Sequence, residues 1–310
     1  MISSICGWTF FILFVLGMLV LDLKVFHRDN HEIKVKEALW WSAFWIALAL
    51  LFNVGVYYFR GHDVALKFLT GYLLEKSLSV DNLFVFLLIF NYFKVPARYQ
   101  HKVLFWGIVG ALMMRAIFIV CGVALLRRFE WVMYVFGAIL VFSGWKLVTE
   151  EEKEVQPEKN VILRAFKKLM PVTQDYRAEK FFVKEAGKWI ATPLFVVLLV
   201  VESTDVIFAV DSIPAILAIS LDTFIVFTSN VFAILGLRAL YFALCGMMDK
   251  FHLMHYGLGG ILFFIGIKMV IHHFIDVPII FTLSFIAIVL TASIVASVKF
   301  PKKLDGPEQI

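Results

Sequence analysis

An apolar stretch of membrane-spanning length carries three carboxylates in its interior, and this combination limits what the chain can fold into. The stretch runs from about Leu194 to Ile219 and contains Glu202, Asp205 and Asp211. A charged residue at the centre of a bilayer helix costs roughly 2.5–3.5 kcal/mol on insertion scales. Three such residues on one span therefore need a bound cation or buried partners.

A second apolar stretch, from about Ala65 to Phe93, has the same character because it contains Glu75 and Asp81. These two acids lie six residues apart, and the last two acids of the first stretch have the same spacing. We expect the two stretches to face each other and to build one cation site.

The overall composition predicts an all-α, polytopic membrane protein. The chain is 61% hydrophobic with a mean hydropathy of +0.87, whereas soluble domains are about 45–50% apolar. The net charge of +5 reflects Lys and Arg in loops and does not indicate nucleic-acid binding. We find no nucleotide-binding glycine loop, haem motif or nucleophile triad, so we expect neither an enzyme nor a permanently bound cofactor.

A helix needs about 20 apolar residues to cross the hydrocarbon core, and on that measure the chain has about nine transmembrane helices. The third is long enough to predict tilt, an interruption, or both. Lys and Arg concentrate in the loops on one side, which predicts an external N-terminus and a cytoplasmic C-terminus. The predicted spans are 5–23, 39–59, 65–93, 103–126, 131–148, 193–219, 224–246, 254–274 and 278–298.

Spans three to five repeat in the sequence as spans six to eight. Because three helices per unit is an odd number, the two units must cross the membrane in opposite directions, and inverted 3+3 repeats hold ions near the midplane. Chance similarity between apolar helices is the alternative. Three matches occur in the same order: Asp81 with Asp211, Arg115 with Arg238, and 134–146 with 256–268.

The repeat divides the chain into five parts. They are two N-terminal helices (1–64), the first repeat (65–148), a cytoplasmic loop (149–192), the inverted repeat (193–274), and the ninth helix with a cytoplasmic tail (275–310). The loop begins with an acidic run and continues with basic and apolar residues. We expect a solvated linker that lies partly on anionic headgroups, with a regulatory or partner-binding role as the alternative.

Helix geometry determines whether the acidic side chains of one helix can point at a common site. Glu202 and Asp205 are three residues apart and share a face, but acids six residues apart point roughly 120° away from each other. A helix break would let such pairs converge, and Pro214 predicts one because it frees the carbonyl of Val210 beside Asp211. The hydroxyl of Ser212 and the amide of Asn82 add neutral oxygens.

The candidate ligands are all oxygens, which suits a hard cation such as Mg²⁺, Ca²⁺ or Mn²⁺. Zinc would predict His or Cys within the motifs. Since metal-binding carboxylates also compete for protons, exchange of the cation for H⁺ is the natural hypothesis. The ligand set is Glu75, Asp81, Asn82, Glu202, Asp205 and Asp211.

A structural interpretation competes with the ion site. Buried bases could pair with the acids and leave no site at all, or arginines could pair with them only while the cation is absent. Asp22 is either an entry acid or an ordinary interfacial aspartate. The bases in question are Arg115, Arg238, Lys76, Lys146 and Lys268.

The motifs at 75–82, 205–215 and 228–239 resemble the TerC family, and the nine-span form resembles its Alx-like branch in bacterial inner membranes. The family is similar to cation exporters of the LysE superfamily and was first named for tellurium resistance; some members are labelled redox modulators. The resemblance implies Mn²⁺ efflux. It makes Glu75, Asp81, Asp205 and Asp211 the transport-critical acids. It gives Asn82 and Glu202 supporting roles. Asn230, in the motif at 228–239, is a further supporting candidate.

The sequence therefore predicts a secondary transporter that exports Mn²⁺ from the cytoplasm, in exchange for H⁺. A Ca²⁺ exchanger is the nearest rival, and a non-transporting scaffold for tellurium or redox stress is the alternative from another class. The expected partners are membrane lipids and the transported cation, together with a second copy of the chain or a cytoplasmic protein at the 149–192 loop.

Overall fold

The computed structural model describes residues 2–26, 35–149, 161–185, 187–245 and 253–300. These residues form helices and one antiparallel hairpin, which confirms the predicted all-α polytopic fold. The elements are α1 (Ile2–Phe26), α2 (Val35–Arg60), α3 (His62–Tyr92), α4 (Ala97–Arg128), α5 (Val132–Thr149), α6 (Val161–Leu169), β1 (Phe182–Glu185), β2 (Lys188–Ala191), α7 (Pro193–Leu217), α8 (Thr223–Ile234), α9 (Leu237–Leu244), α10 (Met254–Ile271) and α11 (Ile279–Lys299).

Each predicted span coincides with a helix or, for the seventh, with the pair α8 and α9. Among the described residues, seven helical segments are long and apolar enough to cross a membrane. The other two predicted spans are α1, whose apolar part is Gly7–Leu21, and α3, which contains several charged residues. The multi-pass membrane character is confirmed, while the count of nine and the sidedness stay predictions.

The two helix interruptions that we considered are absent. The long third span, α3, is one continuous helix of 31 residues, and α7 continues through Pro214 to Leu217. The prediction of a break at Pro214 was wrong because this proline lies in the last turn of its helix. There it removes one backbone hydrogen bond, to the Val210 carbonyl, and only three helical residues follow it.

The break lies instead in the seventh span, between α8 and α9, at a glycine with left-handed backbone. Gly236 has φ 85°, and a Cβ on it would lie 2.6 Å from the ring of Trp45. Lys76 Nζ of α3 donates to the carbonyl of Ala233 at 3.2 Å. Because the last carbonyls of a helix have no partner within it, this half-buried lysine stabilises the end of α8.

Paired glycines bring α5 and α10 into direct backbone contact. A Cβ on Gly137 would lie 3.0 Å from the Gly266 carbonyl oxygen, and one on Gly144 would lie 2.6 Å from that of Gly259. In the sequence repeat, Gly137 corresponds to Gly259 and Gly144 to Gly266. On α10, Gly137 therefore contacts the counterpart of Gly144, and Gly144 contacts the counterpart of Gly137. Such crossed contacts require that α5 and α10 run antiparallel. This reciprocal contact is the arrangement that an inverted repeat requires.

The part of the 149–192 loop that the structure describes is folded, where we had expected a solvated linker. Tyr176 Oη donates to the carbonyl of Phe93 at 2.8 Å, just past the end of α3, and Lys102 Nζ of α4 donates to that of Glu179 at 2.6 Å. Burial raises the pKa of Tyr176 to about 12, so its hydroxyl keeps the donated proton. Residues 161–185 and 187–192 thus form a cap on these helix ends. The acidic run at 150–154 lies outside the described residues.

We predict that Gly266→Ala destabilises the protein by about 1–3 kcal/mol through overpacking. The new Cβ would lie 2.7 Å from the backbone nitrogen of Val141 and 2.8 Å from the Gly137 carbonyl oxygen, so α5 and α10 must separate. Gly260→Ala is the matched control on the same helix, because a Cβ there meets nothing within 4 Å. Thermal unfolding in detergent measures the difference, and equal melting temperatures for the two variants would contradict it.

Candidate cation site

The candidate site is built around Arg115, a side chain of α4 that is 2% exposed. Its guanidinium contacts polar groups from three other helices. Nη1 donates to Glu75 Oε1 of α3, to Asn230 Oδ1 of α8 at 2.8 Å, and to Ser212 Oγ of α7 at 3.4 Å. Nη2 lies 3.8 Å from Asp205 Oδ1 of α7. One guanidinium therefore joins four helices in the interior of the bundle.

The two carboxylates beside Arg115 are equivalent positions of the sequence repeat. Glu75 lies six residues before Asp81, and Asp205 lies six residues before Asp211. Since both contact the same guanidinium, the two acidic stretches do face each other. The meeting point lies well inside each helix, 13 residues after the start of α3 and 12 after the start of α7.

Glu75 has one oxygen without a partner, although it is almost fully buried at 1% exposure. Its Oε1 accepts from Arg115 and from Ser79 Oγ, the latter at 3.5 Å. Its Oε2 has no hydrogen-bond partner in the part of the chain that the structure describes. Buried polar oxygens nearly always have a partner, so this atom marks a place for an additional positive or proton-donating group.

Asp211 points away from this centre, so the predicted convergence of Asp205 and Asp211 was wrong. Asp211 Oδ1 accepts from Ser143 Oγ of α5 at 2.6 Å. Because α7 stays regular, its two aspartates keep the angular separation that 3.6 residues per turn imposes. Ser143 was missed in the sequence, where the one signal is that its repeat counterpart, Ile265, is apolar.

The remaining predicted ligands lie along the same two helices. Glu202 is half-buried one turn before Asp205, and a Cβ on Gly110 of α4 would collide with its carboxylate. Gly110 therefore makes the room that Glu202 occupies. Asp81 is half-buried and Asn82 is buried on α3, about 9 Å along the helix axis from Glu75.

The basic side chains of the predicted spans lie in different environments and make different contacts. Arg115 pairs with the acids, as the structural interpretation anticipated, while Lys76 caps α8 and Lys268 Nζ donates to Thr282 Oγ1 at 3.0 Å. Lys146 is exposed, and Arg238 is buried in the first turn of α9. Arg115 thus pairs with Glu75, and the unpartnered oxygen of Glu75 remains beside this pair.

In the described ranges, no three His, Cys, Asp or Glu side chains form a ready-made metal centre. The six predicted ligands thus lie along α3 and α7 without closing into one coordination shell, and their metal-binding role stays a prediction. Asp22 belongs to α1, but its side chain lies outside the described residues, so the choice between entry acid and interfacial aspartate stays open.

Comparisons with known proteins agree on one family. The model described as "Integral membrane protein TerC family" matches residues 60–304. "Uncharacterized membrane protein STKORF319" of Myxococcus xanthus is 52% identical over 94% of this chain and 91% of its own length. "Putative membrane-bound redox modulator Alx" of Salmonella typhi is 46% identical over 93% of this chain and 92% of its own. An "Uncharacterized membrane protein" of Rickettsia bellii is 41% identical over 94% of this chain and 97% of its own length. No solved structure matches this chain.

We predict that Arg115→Met lowers the free energy of unfolding by about 3–5 kcal/mol, because it leaves buried carboxylates without their counter-charge. Arg60→Met is the matched control: Arg60 Nη1 lies 2.9 Å from Asp222 Oδ2 in a pair that is 42% and 43% exposed, and such pairs contribute about 0–1 kcal/mol. Denaturant unfolding in detergent measures both.

Adding Glu75→Leu to Arg115→Met removes one of the two stranded charges, so the double variant should regain part of the lost stability. An Arg115→Met protein as stable as Arg60→Met would contradict a structural role for the buried ion pair.

Proposed function

Because the chain belongs to the TerC family of integral membrane proteins, we propose that it is a secondary transporter that exports divalent cations, Mn²⁺ foremost, from the cytoplasm. One observation carries the proposal. Glu75 and Asp205, equivalent acids of two repeats, meet at Arg115 in the interior of the bundle. A carboxylate pair at that depth is costly, and the unpartnered Glu75 Oε2 leaves one position for a cation.

The chemistry of the donors supports a hard divalent cation. Carboxylate, amide and hydroxyl oxygens surround the site, from Glu75, Asp205, Asn230 and Ser212. Such oxygens suit Mn²⁺, Mg²⁺ and Ca²⁺, so a Ca²⁺ exchanger is the nearest rival. Because the same carboxylates bind protons in competition with a metal ion, inward H⁺ movement is the proposed counter-flux.

The reciprocal contact between α5 and α10 supplies a geometry for alternating access. Inverted repeats that rock against each other expose a central site first to one side of the membrane and then to the other. The glycine contacts hold the two predicted repeats together at backbone distance. We propose this interface as the pivot between the two halves.

A second candidate function rests on the names of the relatives, several of which are called redox modulators. Cys121 in α4 and Cys245 after α9 are free and exposed, which would allow direct thiol chemistry. A change in cellular redox balance would equally follow from altered metal content. Separating the two requires variants that touch only one of these chemistries.

We predict that Glu75→Gln and Asp205→Asn each lower Mn²⁺ uptake into inverted membrane vesicles about tenfold or more, since each removes one charge that would compensate the cation. Asp81→Ala and Asp211→Ala should lower it as well. Glu185→Gln is the control, because this exposed acid of β1 pairs with Arg177 at 3.3 Å outside the helical bundle. Unchanged Mn²⁺ uptake by all four acid variants would refute the transport proposal.

A cysteine-free variant separates transport from thiol chemistry. If metal content causes any redox phenotype, then combined Cys6→Ser, Cys121→Ser and Cys245→Ser should preserve both Mn²⁺ efflux and resistance to oxidants. Glu75→Gln should lose both. Cell survival under oxidant, measured together with cellular manganese, tests this. Loss of resistance in the cysteine-free cells at normal manganese levels would favour the thiol mechanism.

A further inference from the structure

The charges at Arg115 and one helical turn from it do not cancel. Glu75, Glu202 and Asp205 bring three carboxylates, and Arg115 brings one guanidinium. Glu75 and Asp205 contact Arg115, while Glu202 lies one turn from Asp205 on the same face of α7. Ionised, this group is short of two positive charges. Buried net charge is strongly unfavourable, so a bound cation that restores neutrality is favoured over one that does not.

Resting on the proposed transport function, we propose that Arg115 sets the valence of the cation that the site accepts. With Arg115 in place, one divalent cation brings the group to neutrality. A monovalent cation leaves one negative charge in the interior, and a trivalent cation leaves one positive charge. Arg115 is thus a specificity-determining residue that acts through its fixed charge.

The guanidinium is held as a fixed charge. Its contact with Asn230 Oδ1 at 2.8 Å depends on an amide whose orientation is set, because Asn230 Nδ2 donates to the Val226 carbonyl at 3.2 Å. Ser212 adds a third anchor on α7. Arginine also stays protonated in proteins, so this positive charge is present whether or not the carboxylates hold a cation.

Carboxylate oxygens beside Arg115 remain available to bind a cation. Glu75 Oε2 has no partner, and the 3.8 Å between Arg115 Nη2 and Asp205 Oδ1 is longer than a hydrogen bond. Within the described part of the chain, Glu202 makes neither a hydrogen bond nor an ion pair, and its position next to Gly110 is half-buried. The arginine therefore neutralises the acids only in part.

Lys76, the residue after Glu75, does not neutralise this group. Its ammonium is directed to the Ala233 carbonyl at the end of α8, where it compensates the helix end.

The experiment compares Tb³⁺ with Mn²⁺ as competing ligands of the purified full-length protein in detergent, with Tb³⁺ luminescence as the readout. Arg115→Gln should raise the ratio of Tb³⁺ to Mn²⁺ affinity about tenfold or more, because one extra net negative charge at this distance favours the higher valence. Arg115→Lys should keep the original ratio, since it retains the charge. Arg60→Gln is the remote control, because it removes the same charge from an exposed pair.

The double variant Arg115→Gln/Glu202→Gln restores the original net charge and should return the affinity ratio to within about threefold of the unsubstituted protein. This restoration also carries the test if Arg115→Gln alone folds poorly. An unchanged ratio in folded Arg115→Gln, or an equal shift in Arg115→Lys, would overturn the assignment while leaving transport standing. Failure of the unsubstituted protein to bind either ion would overturn the cation site itself.

Discussion

The structure depends on one electrostatic constraint, the need to hold carboxylates in the interior of an apolar helical bundle. Arg115 neutralises these carboxylates only in part. It contacts Glu75 of α3 and Asp205 of α7, and it donates a hydrogen bond to Asn230 of α8. Replacing the whole group by apolar residues would remove its cost. In the proposed transport function, a bound cation completes the neutralisation of Glu75 and Asp205.

The convergence of these two acids agrees with the predicted inverted repeat. Gly137 and Gly144 of α5 contact the counterparts of each other on α10, which fixes an approximate two-fold axis between the units. Small residues at such contacts let helices approach to backbone distance in an apolar environment. Equivalent positions on α3 and α7 are then brought to opposite sides of one point, and Arg115 occupies that point from the first repeat.

Features that depend on period and charge were readable from the sequence. Helix positions followed from apolar run lengths, and the approach of the two acidic stretches, seen at Glu75 and Asp205, was expected from their shared spacing. The break in the seventh span was not readable, because Gly236 takes a left-handed conformation against Trp45, a residue from a distant part of the chain. The break predicted at Pro214 was wrong because the effect of a proline on a helix depends on how close it lies to the helix end, which the sequence does not give. Ser143 carried no charge that would single it out.

Adjacent residues of α3 connect the charged site to the helix break. Glu75 accepts from Arg115, which also holds Asn230 of α8. Lys76, the next residue, holds the carbonyl of Ala233 at the end of the same helix. Side chains that follow each other on a helix diverge by about 100°, so α3 contacts the centre of the site with one and the α8 terminus with the other. A displacement of α3 relative to α4 and α8 would therefore change both contacts, which couples the acids to the helix break.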